Sequence, residues 1–268
     1  KDRQFLRQRI TRLKVQLKRV EKERITQKQR RSNCLRVSLI GYTNAGKSTI
    51  MNALTNSGLL VEDRLFATLD STTRLLEEDS RPKVLLSDTV GFISNLPHEV
   101  VAAFRSTLAT VKDADLLLQI IDVSDKIDEH LQTTTEVLAD LDALCIPVLK
   151  VFNKIDRISP TRLLMLKKLY PEAVFVSVRN NEKNGLKSYS NLVEKLRNKI
   201  LEFFDERMKT VTIRLDYQHS RQLANIYEWS RVDNIDYQEE GILMTLTTIP
   251  GNLDRLRHQM GVNFTEMN

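Results

Sequence analysis

The chain is poor in the residues that build several common kinds of protein. Two cysteines, Cys34 and Cys145, and four scattered histidines, His98, His130, His219 and His258, cannot by themselves make a disulfide framework or a thiolate zinc centre, so a reducing compartment is the default. Only 8 glycines and 6 prolines in 268 residues exclude collagen-like and low-complexity architecture. No uninterrupted apolar run approaches the roughly 20 residues that cross a bilayer, and no apolar signal core follows the charged N-terminus. Membrane spanning and Sec-type secretion are not expected; the cytoplasm is the expected location, and an organelle matrix is compatible with the same composition. What is present suits a folded protein: 41% hydrophobic and 28% charged residues, in a length that fits one large domain or two smaller ones.

The net charge of +6 hides an asymmetry. Residues 1–31 hold 13 Lys or Arg against Asp2, Glu21 and Glu23, a balance of +10, while the remainder holds 28 basic and 32 acidic residues, a balance of −4. Leu6, Ile10, Leu13, Leu17 and Val20 recur at spacings of four and three, a narrow apolar seam on one helix with basic residues around it. Two readings stay open and are compatible. The segment is half of a helical hairpin with solvated charges, or a polycation that sits on nucleic-acid phosphates.

From Leu35 short apolar strands alternate with helices, the pattern of a mostly parallel sheet covered on both faces. Strands are predicted at Leu35–Ile40, Thr73–Glu78, Lys83–Ser87, Leu116–Asp122, Pro147–Phe152 and Ala173–Ser177. Helices are predicted at Lys47–Thr55, Glu99–Val111, Ile127–Leu144, Pro160–Leu169 and Leu186–Met208. After Met208 the order changes to a strand Val211–Tyr217, a helix Ser220–Trp229, a hairpin turning at Glu240 and Gly241, and a helix Leu253–Met260. The expected organisation is a basic helical segment (1–33), a doubly wound α/β domain (34–208) and a small α+β domain (209–268). Trp229 and Tyr227 are read as core or interface packing residues rather than a base-stacking platform.

Three motifs stand in order on three strand ends. Gly41 to Ser48 fits G-x-x-x-x-G-K-[ST] between a strand and a helix. Backbone amides of Asn44, Ala45, Gly46 and Thr49 can face a polyphosphate, Lys47 can neutralise its β and γ groups, and the Ser48 hydroxyl can ligate magnesium. Asp88-Thr89-Val90-Gly91 begins 41 residues beyond Lys47; Asp88 can hold magnesium through water, and the Gly91 amide can meet the γ-phosphate. Asn153-Lys154-Ile155-Asp156 follows a third strand. The Asp156 carboxylate can accept from guanine N1–H and N2–H2, where adenine has no such pair of donors; Asn153 can address N7 and Lys154 can lie over the ring.

These residues resemble the translation-factor-like small GTPases, and more closely the HflX branch of the Obg and HflX superfamily. The resemblance is carried by Leu65-Phe66-Ala67-Thr68-Leu69-Asp70 with Thr72-Thr73-Arg74, by Asp88 to Ile93 as DTVGFI, by Asn95 to His98, and by Val101 to Leu108. It implies a P-loop GTPase fold in which Thr68 ligates magnesium and senses the γ-phosphate. It also implies that Ser177-Val178-Arg179 is the last guanine-contacting loop, through a backbone amide at Val178. Here the usual Ser-Ala-Lys is replaced, and Ser71 stands where a proline is common. By the same resemblance the chain is expected to start inside a helical linker, without the domain that precedes it in the family.

Phe92 occupies the place where many such proteins carry a water-orienting glutamine, so unaided hydrolysis is expected to be slow and stimulated by a partner; Lys47, Thr68 and Gly91 are the expected catalytic residues. Asn44 either supports a potassium ion in place of an arginine finger or simply closes its loop by a hydrogen bond. The implied ligands are GTP and GDP, and the implied partner is the large ribosomal subunit and its RNA. The implied task is to split or rescue stalled or idle ribosomes, acting as a monomer. Subunit assembly, and a nucleotide-gated binding module with incidental hydrolysis, are the alternatives.

Overall fold

A computed structural model describes residues 34–55, 72–77, 79–89, 91, 110–178, 187–260 and 265–267. The basic segment 1–33, the stretches holding Thr68 and Phe92, and the predicted helix Glu99–Val111 apart from its last two residues lie outside the described residues. From Leu35 onward the chain forms one compact unit, built on two sheets.

The larger sheet contains β1 (Leu35–Gly41), β2 (Thr73–Leu75), β3 (Val84–Asp88), β4 (Leu116–Asp122), β5 (Val148–Asn153) and β6 (Val174–Phe175), in the order β2-β3-β1-β4-β5-β6. Only β2 runs antiparallel to its neighbour; the other pairings are parallel. All seven residues of β4, LLLQIID, are buried, because both faces of a parallel sheet are covered. On one face Leu116, Leu118 and Ile120 pack with Ile50, Met51 and Leu54 of α1 (Lys47–Leu54) and with Leu196, Ile200 and Phe204 of the later helix Lys187–Asp205. On the other face Leu117 meets Leu138 and Leu141, and Ile121 meets Ile127, Phe152 and Leu166. These last contacts come from α2 (Ile127–Asp140), β5 and α3 (Pro160–Leu169); the helix Lys187–Asp205 is α4.

Several element ends differ from the sequence reading for identifiable reasons. The predicted helix Ile127–Leu144 stops at Asp140, because Asp142 adopts a left-handed φ of 50°. Asp142 N–H then donates to Ala139 O at 3.0 Å and Ala143 N–H to Leu138 O at 2.9 Å, the bond pair of a Schellman C-cap. Aspartate stands where glycine usually marks that stop. The strands predicted at Thr73–Glu78 and Ala173–Ser177 shrink to three and two residues, as expected for the two edges of the sheet, and α4 ends at Asp205 instead of Met208.

The smaller sheet, ordered β10-β7-β9-β8, comprises β7 (Lys209–Leu215), β8 (Arg231–Gln238), β9 (Gly241–Thr248) and β10 (Thr265–Met267). All its pairings are antiparallel. α5 (Leu223–Trp229), entered through a 3-10 turn at Tyr217–Gln222, and α6 (Pro250–Met260) accompany it. α6 starts three residues earlier than predicted, since Pro250 suits the first turn of a helix; β10 has no counterpart in the sequence reading. Ile213, Leu215, Ile226, Trp229, Ile242, Met244, Leu246 and Leu256 form its core. Trp229 is thus a core packing residue as read, whereas Tyr227, 46% exposed, is not part of that core.

The two-sided burial of β4 yields a stability prediction. Leu118→Ala should lower the unfolding free energy by about 3 kcal/mol, whereas Leu164→Ala, at a side chain 62% exposed, should change it by less than about 0.5 kcal/mol. Urea unfolding curves of the two variants check this.

Candidate nucleotide-binding site

The parallel register brings the carboxyl ends of β1, β3, β4 and β5 to one edge. Leu39 pairs with Asp88, Gly41 with Ile120, and Asp122 with Asn153. A crevice beyond such strand ends is the usual ligand site of this architecture.

The loop between β1 and α1 wraps around the amino group of Lys47. Gly46 holds a φ of 96°, and a Cβ there would collide with Asn153 Nδ2, so the loop needs glycine on both counts. Lys47 is only 7% exposed; its Nζ donates to Gly41 O at 3.2 Å and Tyr42 O at 3.0 Å. Burial pushes its pKa down to about 8, with the Asp88 carboxylate pulling it partly back up. Gly91 closes over this group: an added Cβ would lie 2.8 Å from Thr43 Cα and 2.9 Å from Lys47 Nζ. Thr89 Oγ1 donates to Leu39 O at 2.6 Å and fixes the start of that approach.

Ser48 Oγ donates to Asp88 Oδ2 at 2.5 Å. A hydroxyl and a carboxylate side by side are hard oxygen donors beside a polyphosphate-binding amine, which suits magnesium. Among the described residues no group of three or more His, Cys, Asp or Glu gathers as a metal centre, so the magnesium expectation rests on Ser48 and Asp88, with Thr68 outside the described residues. Asn44 has a left-handed φ of 58° and an exposed side chain.

The third motif reaches back to the loop. Asn153, 3% exposed, donates from Nδ2 to Ala45 O at 2.9 Å, while its Oδ1 is buried with no partner among the described residues. Lys154 also takes a left-handed φ, 61°, and its Nζ lies 2.7 Å from both Asn44 O and Asp122 Oδ2. Asp122 Oδ1 accepts from Ser124 N at 2.9 Å and Ser124 Oγ at 2.6 Å. Burial pushes the Asp122 carboxyl up, but the hydrogen bonds from Lys154 and Ser124 outweigh it and hold it below the ordinary carboxylate range. The buried Ser177 hydroxyl donates to Oδ1 of the exposed Asp156 at 2.5 Å, orienting the carboxylate outward from a firm base. Val178 packs half-buried against the main core.

The structure therefore gathers Asn44, Ala45, Gly46, Lys47, Ser48, Thr49, Asp88, Gly91, Asn153, Lys154, Asp156 and Ser177 around one edge of the sheet. Sequence reasoning missed Asp122 and Ser124, which lie in no motif, and the stacking of Tyr42 on His130, whose rings are 4.1 Å apart at 11°. A signal was available for Asp122, a carboxylate ending an otherwise apolar strand. Two of the three non-glycine residues with positive φ among the described residues, Asn44 and Lys154, belong to this site, consistent with strain concentrating where ligands bind.

The family described as 50S ribosome-binding GTPase matches residues 36–154. The protein named GTPase HflX of Gluconacetobacter diazotrophicus is 40% identical over 260 residues, covering 97% of this chain and 56% of its own length. That of Escherichia coli is 35% identical over 255 residues, covering 93% and 58%. The chain thus spans somewhat more than half the length of these relatives. A GTP-binding protein of Sulfolobus solfataricus, solved with GDP, is 27% identical over 73% of this chain and 60% of its own, with a TM-score of 0.46.

The depressed Lys47 pKa has a definite sign. An unfolded lysine, at 10.5, binds more protons than the folded one, at about 8, so the ligand-free protein gains stability as pH rises between those values. A bound polyphosphate favours the ammonium and reverses the shift. At about pH 9, GDP binding should therefore take up a fraction of a proton, and Lys47→Arg, whose guanidinium stays charged, should take up none. Calorimetry in two buffers of different ionisation enthalpy reads this directly; identical heats for the wild type contradict it.

Proposed function

Because the chain belongs to the HflX family of GTPases, we propose that it binds GTP and GDP, hydrolyses GTP slowly alone, and is stimulated by the large ribosomal subunit, on which it splits or rescues stalled ribosomes. The observation that carries the reading is the convergence of Lys47, the Ser48–Asp88 pair and Asp156 at one sheet edge. Lys47 offsets phosphate charge, and the Gly91 amide, close beside Lys47 Nζ, meets the γ-phosphate. Ser48 and Thr68 would ligate magnesium, with Asp88 holding it through water, and that ion would neutralise charge developing on the phosphate oxygens. The Asp156 carboxylate selects guanine; the Asn153 amide and a Val178 amide complete the base pocket.

Lys47, Thr68 and Gly91 carry the catalytic roles in this proposal. Phe92 supplies no hydrogen bond to an attacking water, which favours activation by a partner that fixes the water through other groups. The same residue favours a second reading, in which GTP gates docking and turnover is incidental. A potassium ion at Asn44 is the further element of the proposal, and equal turnover in potassium and sodium would remove it.

For the partner, the support is the +10 balance of residues 1–31, which suits ribosomal RNA. The proposed division of labour places RNA contact in 1–33 and nucleotide chemistry in 34–208, within a monomer acting in the cytoplasm. Among the described residues no helix is long and apolar enough to cross a membrane.

Two measurements test this. Asp156→Asn should weaken GDP binding roughly hundredfold, since two hydrogen bonds to a charged acceptor are lost; an unchanged affinity contradicts the base assignment. GTP turnover should rise several-fold on adding large ribosomal subunits, and subunit affinity should fall with salt at a log-log slope of about −0.7 to −0.9 per phosphate neutralised. Charge reversal within 1–31 should flatten that slope, and an unaltered slope would remove the segment from RNA contact.

A further inference from the structure

Asp122 belongs to none of the three motifs, yet it lies where the first and the third meet. It ends β4, pairs in register with Asn153 of β5, and is 7% exposed. One carboxylate oxygen is occupied by the Ser124 amide and hydroxyl, at 2.9 and 2.6 Å, so the group is fixed in rotation. The other is 2.7 Å from Lys154 Nζ. The same ammonium donates to Asn44 O at 2.7 Å.

We propose that Asp122 is a positioning residue for the nucleotide site: its carboxylate fixes the Lys154 ammonium where it ties the base-reading loop to the phosphate-binding loop at Asn44. The proposal rests on the guanine-nucleotide reading and deepens it.

The argument is one of geometry and charge. A lysine side chain is long, flexible and strongly hydrated, and one neutral carbonyl is a weak reason for it to stay against the protein. A second, fixed and ionised oxygen on the same ammonium changes that, because charge-assisted hydrogen bonds are about twice as strong as neutral ones. With both contacts made, the Lys154 ammonium bridges Asp122 and Asn44, and the left-handed backbone at Lys154 and at Asn44 is held by side-chain chemistry as well as by the chain. The loop that reads the base and the loop that binds phosphate then move as one body. Removing the Asp122 charge should loosen the bound nucleotide without altering the groups that act on the γ-phosphate.

The test is the release rate of a fluorescent GDP analogue, with KM and kcat for GTP, in the full chain. Asp122→Asn keeps a hydrogen-bond acceptor but loses the charge. It should speed GDP release on the order of tenfold and raise KM by a similar factor, with kcat within about twofold, because truncating a charge pair acts mainly on dissociation. Asp122→Glu, which keeps the charge, should recover most of the loss. Ser124→Ala, a milder change that frees the carboxylate to rotate, should fall between wild type and Asp122→Asn. A release rate unchanged in Asp122→Asn, with wild type binding normally, overturns the proposal. So does a faster release that Asp122→Glu fails to reverse and that tracks a lowered melting temperature of the nucleotide-free protein, since that pattern belongs to a merely structural ion pair. Failure of the wild type itself to bind guanine nucleotides would bring down the functional reading and this proposal together, and is distinguished by the wild-type titration alone.

Discussion

A lysine ammonium buried against the end of a parallel sheet is costly unless an anion comes to meet it, and the nucleotide site is organised around that cost at Lys47. Two loop carbonyls and the nearby Asp88 carboxylate hold the group in place, but they do not restore its ordinary proton affinity. The unspent attraction is what a polyphosphate would take up. The rest of the site follows from keeping that ammonium where it is. Gly46 lets the loop turn tightly against Asn153, Gly91 allows a second segment to close over it, and the Ser48–Asp88 pair supplies oxygen donors next to it.

The sheet supplies rigidity to this arrangement. β4 is buried along its whole length and sits between β1 and β5, the strands that carry the first and third motifs. A fully covered central strand cannot slip register without turning apolar side chains into the wrong layer. The strand ends are therefore fixed relative to one another, and hydrogen bonds such as Asn153 to Ala45 O, which join residues 108 apart in sequence, can form in a reproducible geometry. The loop after β5 and the loop between β1 and α1 are held together at two points, Asn153 with Ala45 and Lys154 with Asn44.

Much of this was legible from residue order. The apolar runs located the strands of the larger sheet, because parallel strands covered on both faces read as continuous apolar segments. The motif spacing placed the Gly41–Ser48 loop, Asp88 and Asn153 at the ends of β1, β3 and β5, which do meet along one edge of the sheet. What escaped had local physical causes. The end of α2 was misplaced because Asp142 takes a left-handed conformation that glycine normally signals. Asp122 went unread because its partner Lys154 is 32 residues away in sequence, and only the strand pairing brings them together. Residue type alone does not separate Tyr227 from Trp229: Trp229 turns into the small core while Tyr227 stays half exposed. The short β10 carries too few residues for periodicity to show, and its existence depends on pairing with β7.

The account stands or falls on base selection joined to phosphate binding at one sheet edge, and competition between nucleotides measures both at once. Fluorescent GDP bound to the wild-type chain should be displaced by stoichiometric GTP and should resist a large excess of ATP. Displacement by ATP at concentrations comparable to GTP, or a chain that holds no guanosine nucleotide at all, would contradict it.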